Sequence, residues 1–194
     1  MTARTRHAGG KQGDTPGGGL APGLYLVATP IGNLGDITLR ALDVLKGADV
    51  IACEDSRVTM KLLSAYGIAT PTTPYHEHNA ARARPRLLAR LAAGDRVALV
   101  SDAGTPLISD PGYKLVAEAR AASITVTAIP GASAALAALT VAGLPTNAFH
   151  FAGFLPPRQT ARRRALEALR AAAPSVWGAG SPRSGTRWWA APRP

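Results

Sequence analysis

The sequence after residue 22 alternates apolar runs with segments of helical spacing, and this alternation restricts the fold more than any other feature. Runs rich in apolar and β-branched residues, typical of buried strands, lie at residues 24–30, 50–53, 72–75, 97–101 and 125–129. Helical spacing follows each run, at residues 37–48, 58–66, 80–93, 113–122 and 133–142. Strands joined by helical crossovers pair in parallel, with helices on both faces. The pattern predicts an α/β fold with a mostly parallel five-stranded sheet sandwiched by helices.

The pattern also divides the chain into four parts. Residues 1–22 are basic and Gly-rich without apolar periodicity, so we expect disorder there, and residues 23–145 form the α/β domain. Residues 146–173 hold an aromatic run, FHFAGF, and an Arg-rich helix over 160–172, which together predict the start of an incomplete second α/β domain. Residues 174–194 are aperiodic. We expect disorder there, and the pattern favours a misread or shifted coding sequence over a designed segment.

Composition limits the partners and the compartment. The 22 Lys and Arg outnumber the 12 Asp and Glu, so the net charge is +10, and a polyanion such as nucleic acid is the expected partner. No apolar run approaches the roughly 20 residues of a membrane span, and the N-terminus lacks the apolar core of a signal peptide, so we expect a cytoplasmic protein. The single Cys53 excludes an internal disulfide and favours a small buried residue over a catalytic thiol.

Every predicted strand of the sheet ends in a polar or Gly-containing segment. The five segments read TPIGNLGDIT, CEDSRVT, YHEHNAAR, SDAGTPLISDPG and PGASAA. Ligands of open α/β sheets bind outside the carboxyl ends of the strands. Five such segments along one edge therefore predict a composite site.

The fourth segment indicates the kind of ligand. Gly104 lets backbone groups approach a ligand closely, while Pro106 and Pro111 hold the loop in one shape. Such a loop suits a flat, polar ligand such as a nucleoside. A Walker P-loop and a GxGxxG motif are both absent from the sequence, which argues against an ATP or dinucleotide site.

Local structural roles compete with binding roles in these segments. Asp36 or Thr38, Asn79 and Ser133 have the side chains of ordinary helix N-caps, and the segment from Glu54 to Arg57 could be a self-satisfied ion pair. His76 and His78 are two residues apart and point to opposite sides if extended, so we expect no metal site.

The motifs TPIGNLGDIT, CEDSRVT with LLSAYGI, YHEHN, VSDAGTPLISDPG, IPGASA and FAGFLP occur in this order. Together they resemble the ribosomal RNA small subunit methyltransferase I family, the 16S rRNA cytidine 2'-O-methyltransferases of the tetrapyrrole methylase superfamily. The resemblance covers residues 23–172. It implies a two-domain enzyme that binds S-adenosylmethionine between its domains and methylates a ribose 2'-hydroxyl of 16S rRNA in the small ribosomal subunit. By this resemblance we expect the sequence to hold only the start of the second domain.

The resemblance also implies roles for the loop residues. The cofactor would be lined by the fourth and fifth segments, at Asp102, Ala103, Gly104, Thr105, Ile108, Ser109, Asp110, Pro130, Gly131, Ala132 and Ser133. The RNA nucleotide would face the first three segments, at Thr29, Pro30, Gly32, Asn33, Asp55, Ser56, Arg57, Glu77, His78 and Asn79.

Removal of the proton from a ribose hydroxyl calls for a general base. Glu54, Asp55, His76, Glu77 and His78 are candidates, with Glu54 or His76 slightly favoured. Several arginines could bind rRNA phosphates, although a solvated helix face explains them equally well. They are the arginines at 57, 82, 84 and 162–164.

The sequence leaves two other functions and a homodimeric state open. The chain could be a small-molecule methylase of the tetrapyrrole kind, which the basic charge and the first loop disfavour, or a truncated remnant that binds RNA without catalysis. Apolar faces left by a missing half-domain could pair two copies as a homodimer.

Overall fold

The computed structural model describes residues 19–108, 112–172, 176–179 and 188–190. The strands are β1 Gly23–Val27, β2 Val50–Cys53, β3 Thr72–Pro74, β4 Arg96–Val100, β5 Val126–Ile129, β6 His150–Phe154, β7 Val176–Ala179 and β8 Trp188–Ala190. The helices are α1 Leu39–Gly47, α2 Ser56–Ala65, α3 Ala80–Ala92, α4 Tyr113–Ala121, α5 Ala134–Val141 and α6 Gln159–Ala172, with a 3-10 turn at Leu34–Asp36.

The first five strands form one parallel sheet in the order β3-β2-β4-β1-β5. Strand β4 lies in the middle, with Val97 opposite Leu24 of β1 on one side and Val50 of β2 on the other. The α/β fold predicted from the alternating pattern is confirmed. Because all five strands run the same way, their carboxyl ends share one edge of the sheet.

Helices bury apolar side chains on both faces of this sheet. On one face, Leu45 of α1 and Leu63 of α2 are fully buried against Ile51. On the other face, Leu87 of α3 and Leu115 of α4 pack with the core cluster that includes Leu24, Val97 and Leu99. Each fully buried leucine contributes roughly 1.5–3 kcal/mol, so the helices on both faces stabilise the sheet.

An ion pair lies at the amino ends of the central strands, opposite the carboxyl ends. The carboxylate of Asp49, just before β2, accepts hydrogen bonds from the backbone N–H of Arg96 at 2.8 Å and from its guanidinium at 2.9 and 2.6 Å. These hydrogen bonds hold the pKa of Asp49 well below its usual range. The pair joins β2 to β4 at their amino ends.

The helix N-caps refine the sequence interpretation. Thr38 caps α1 by accepting a hydrogen bond from the N–H of Ala41 at 3.1 Å, whereas Asp36 belongs to the 3-10 turn. Ser133 caps α5, as predicted. Asn79 occupies the N-cap position of α3 but makes no side-chain capping bond, because its amide is used elsewhere in the loop.

The second sheet differs from expectation after residue 174. Strand β6 and helix α6 form where the aromatic run and the Arg-rich segment predict them. The sequence predicts no regular structure in residues 174–194, but β7 pairs in parallel with β6, and β8 pairs antiparallel with β7. The rest of that segment lies outside the described residues. Val176 and the Trp residues at 177, 188 and 189 favour strands even in such short runs. The expected disorder of residues 1–18 lies outside the described residues.

Among the helices in the described ranges, none combines the length and the apolar character that crossing a membrane requires.

Candidate functional site

The carboxyl edge of the sheet carries five loops, one after each parallel strand. We name them by the strand they follow: the β1 loop (28–38), β2 loop (54–55), β3 loop (75–79), β4 loop (101–108) and β5 loop (130–133). The structure brings them to one edge, as the sequence pattern predicts. Hydrogen bonds then join four of them, with the β4 loop at the centre, and the β3 loop is bonded to the end of β2.

The β1 and β4 loops are paired through their backbones. Thr29 and Gly104 form an antiparallel bridge, in which Thr29 N–H donates to Gly104 O at 2.9 Å and Gly104 N–H donates to Thr29 O at 3.0 Å. Gly104 has φ +83°, and a Cβ there would meet Ile31 Cγ2 at 3.5 Å and Ala132 O at 3.7 Å. Glycine is therefore required by the backbone conformation more than by crowding.

Two buried hydroxyls reinforce this bridge. The Thr29 hydroxyl donates to Ser101 O at 3.1 Å, and the Ser101 hydroxyl donates to Gly104 O at 3.2 Å. Both residues are only 4% exposed. Thr29, expected to face a substrate, thus directs its side chain into the protein. Ser101 was missed by the sequence analysis, although a polar residue directly after an apolar strand is a usable signal.

The β2 loop is attached to the β4 loop by a carboxylate. Asp102 Oδ1 accepts the backbone N–H of Asp55 at 3.0 Å. The side chain of Asp55 is engaged separately, since it accepts the N–H of Arg57 at 2.9 Å as the N-cap of α2 and pairs with the Arg57 guanidinium at 2.6 Å. The hydrogen bond from Arg57 lowers the pKa of Asp55 to about 2. Asp55 therefore stays ionised and is a poor proton acceptor at neutral pH.

The β5 loop contacts the β4 loop from the other side. The Thr105 hydroxyl donates to Ala132 O at 3.4 Å, and Ser133 begins α5. A Cβ on Gly131 would come within 3.0 Å of the Ala28 Cβ, so a glycine lets this loop lie directly against β1. Pro130 and Gly131 are exposed at the edge, while Ala132 and Ser133 are half-buried.

The β3 loop is bonded to the end of β2 and is held by hydrogen bonds within its own turn. Tyr75 N–H donates to Cys53 O at 2.7 Å, and Asn79 holds the turn by accepting His76 N–H and donating to Pro74 O, each at 2.9 Å. In this turn the rings of His76 and His78 lie edge to face, with their centroids 6.1 Å apart. In an extended chain the two side chains would point to opposite sides.

His76 has one nitrogen that cannot face a ligand. Its Nδ1 is buried and has no hydrogen-bond partner within the described part of the chain. No three His, Cys, Asp or Glu residues there come together as metal ligands would. Cys53 is fully buried, and this burial raises the pKa of its thiol, so it is an inert core residue.

The remaining predicted residues differ in exposure. Glu54, Ser56 and Pro30 are half-buried at the edge, whereas Gly32, Glu77 and His78 are exposed. Asn33 is exposed and caps the 3-10 turn by accepting Gly35 N–H at 3.0 Å. In the β4 loop Ala103, Thr105 and Ile108 are exposed, which offers apolar and polar groups side by side. Ser109 and Asp110 lie outside the described residues.

The chain is similar in sequence to curated proteins of known name. The chain is 61% identical over 160 residues to ribosomal RNA small subunit methyltransferase I of Mesorhizobium japonicum, covering 82% of this chain and 54% of that protein. It is 57% identical over 144 residues to the protein of the same name from Halalkalibacterium halodurans, covering 74% and 50%. The resemblance inferred from the motifs is confirmed, and the chain spans about half the length of the curated relatives it matches.

The fold has a counterpart among solved structures. A conserved hypothetical protein from Aeropyrum pernix K1 matches with a TM-score of 0.66 and 26% identity, over 87% of this chain and 61% of that one. The family model for tetrapyrrole (corrin/porphyrin) methylases matches residues 23–180, which include the whole five-stranded sheet and all five loops. The chain belongs to the tetrapyrrole (corrin/porphyrin) methylase family.

Proposed function

We propose that this chain carries the methyl-donor and nucleotide sites of an S-adenosylmethionine-dependent methyltransferase acting on 16S rRNA of the small ribosomal subunit, at the 2'-O of a cytidine. The names of the curated relatives support an rRNA substrate, and the family supports methyl transfer. The 2'-hydroxyl target follows from the motif resemblance.

One observation carries the proposal: four of the five loops are joined through the β4 loop. Backbone or side-chain hydrogen bonds connect it to Thr29, Asp55 and Ala132. The β3 loop is bonded in turn to the end of β2. A site of this kind is held in shape before a ligand arrives, which is what alignment of two reactants requires.

The residues present fit the methyl donor. Exposed Ile108 offers an apolar contact for a purine, and the Thr105 hydroxyl and the Ala103 backbone offer polar groups beside it. Gly104 itself is buried and bonded to Thr29, and its missing Cβ lets the β4 loop pack closely against Ile31 and Ala132. The β4 and β5 loops would therefore hold S-adenosylmethionine, which supplies an electrophilic methyl group when bound.

The β1, β2 and β3 loops would hold the nucleotide. Glu54 or His76 would accept the ribose proton, and the burial of Nδ1 leaves Nε2 as the His76 atom for this role. Asp55 is unsuited because its pKa is about 2. Its ion pair with Arg57 would instead keep the β2 loop in place.

Two measurements test this function. Calorimetry of the 194-residue chain with S-adenosylmethionine should show saturable binding, and transfer of a labelled methyl group to 16S rRNA, mapped by primer extension, should stop at one cytidine. Binding without transfer would restrict the function to cofactor and RNA recognition. Absence of heat at millimolar cofactor would overturn the proposal.

A further inference from the structure

Cations on the α3 side of the sheet fall into two groups. Arg84 pairs with Glu118 of α4 at 2.7 Å, and Arg90, in the last turn of α3, pairs with Asp95. Arg82 and Arg86 are exposed, and the described residues place no carboxylate within ion-pair distance of either. The two unpaired arginines therefore differ from their neighbours on the same helix.

Arg82 and Arg86 also share a position. They are four residues apart, so their side chains neighbour each other on one face of α3, about 6 Å apart along the axis. Helix α3 starts directly after the β3 loop, which puts both arginines in its first two turns, near the carboxyl edge of the sheet. Like charges at this spacing oppose helix formation, and an anion held between them would relieve the repulsion.

We propose that Arg82 and Arg86 form a phosphate-contacting surface that holds the RNA backbone beside the β3 loop. The proposal rests on the RNA substrate of the proposed function and adds the surface on which that RNA lies. Its partner is a polyanionic strand, which the net charge of +10 favours. The contacts are to phosphates, so they position the strand without reading its bases.

Arg120 provides a matched control. It is exposed in the last turn of α4, and the described residues offer it no ion-pair partner. Since α4 starts after the β4 loop and runs away from the carboxyl edge, Arg120 lies at the opposite end of the same helical layer. Its removal changes the net charge by the same amount as removal of Arg82 or Arg86.

The experiment measures RNA affinity against salt. Fluorescence anisotropy with a labelled single-stranded RNA of about 20 nucleotides would be recorded for the wild type, Arg82→Ala, Arg86→Ala and Arg120→Ala. Each of the first two substitutions should lower the slope of log affinity against log salt by about one, and Arg120→Ala should leave it unchanged. Thermal unfolding should change little in all three, because the side chains are exposed and the repulsion relieved by removing Arg82 or Arg86 is only about 0.2–0.5 kcal/mol.

The outcomes separate the surface from the proposed function. Equal slopes in all variants, or an equal loss with Arg120→Ala, would mean that only net charge matters and would overturn the surface. Calorimetry with S-adenosylmethionine should give the wild-type affinity for all three variants. A slope loss confined to Arg82 and Arg86 in a chain that binds no cofactor would support the surface and reject the methyltransferase. Cofactor binding together with unaltered slopes would support the methyltransferase and reject the phosphate-contacting surface.

Discussion

The backbone N–H of Asp55 donates to Oδ1 of Asp102 at 3.0 Å, across 47 positions of sequence. The two residues follow the neighbouring strands β2 and β4, so this bond sets the spacing between the proposed nucleotide loop and the proposed cofactor loop. Thr29 and Ala132 hold the same β4 loop from the other side. Loss of any of these contacts should therefore affect both the proposed nucleotide loops and the proposed cofactor loops.

Removal of the Asp102 carboxylate should weaken cofactor binding. Asp102→Ala leaves the part-buried Asp55 N–H without its acceptor, and loss of such a bond costs about 1 kcal/mol. Because bound cofactor must then hold the loop in place, we expect S-adenosylmethionine affinity to fall by a similar free energy, roughly fivefold to tenfold. Asp102→Asn keeps an acceptor oxygen and should retain most of the affinity. Isothermal titration calorimetry on both variants measures the difference.

Asp49 is the control for this prediction, because it bonds β4 from the opposite edge of the sheet. Asp49→Asn should lower the unfolding temperature and leave the affinity for cofactor unchanged. If Asp49→Asn and Asp102→Ala weakened binding equally, the effect of Asp102 would be one of general stability.

The Thr29 hydroxyl should stabilise the β1 and β4 loops. Thr29→Val keeps the side-chain shape but removes the bond to Ser101 O, so we expect a loss of about 1 kcal/mol in the free energy of unfolding. Thr29→Ser keeps the hydroxyl and should restore cofactor affinity that Thr29→Val loses. Urea unfolding and calorimetry measure the two effects. Equal affinity for the Val and Ser variants would show that the hydroxyl has no part in shaping the site.

Gly104→Ala should strain the proposed cofactor loop. Its φ of +83° disfavours any side chain, at about 1–2 kcal/mol, although the space beside it would accept a methyl group. We expect a lower unfolding temperature and weaker binding of S-adenosylmethionine.

Gly67→Ala supplies the comparison for this change. Gly67 has φ +62° and open space around it, and it follows α2, away from the carboxyl edge. The strain should be similar, so thermal unfolding should shift by a comparable amount while cofactor affinity stays at the wild-type value. A parallel loss of affinity would argue against a specific role for Gly104.

Local chemistry explains which features could be predicted from the sequence. The runs of β4 and β2 and the apolar spacing of α1 to α4 are each strong local signals, and parallel pairing then places the loops on one edge. The contacts within that edge are not local: Asp102 meets Asp55, and Thr29 meets Ser101, only after the sheet has formed. Asn79 shows the same limit, since its amide could serve the helix or the turn equally well by sequence. Strands β7 and β8 are too short for a periodic signal.

The ion pair of Asp55 and Arg57 should give stability a dependence on acid pH. A carboxyl whose pKa is lowered in the folded state stabilises the fold above its unfolded pKa of about 4, and that contribution is lost as pH falls toward the folded pKa. For Asp55 the window runs from about 4 down to about 2. Arg57→Ala should raise the pKa of Asp55 toward its ordinary value and remove part of the pH dependence in that window.

NMR titration of the Asp55 carboxyl carbon measures this shift directly. The change in unfolding free energy should be small, because Arg57 is 87% exposed and solvent screens the pair. Arg82→Ala is the control, since it removes an exposed arginine without an ion-pair partner in the described part of the chain and should leave the titration of Asp55 unmoved. An Asp55 pKa that stays near 2 in Arg57→Ala would assign the shift to the N-cap hydrogen bonds of α2 instead.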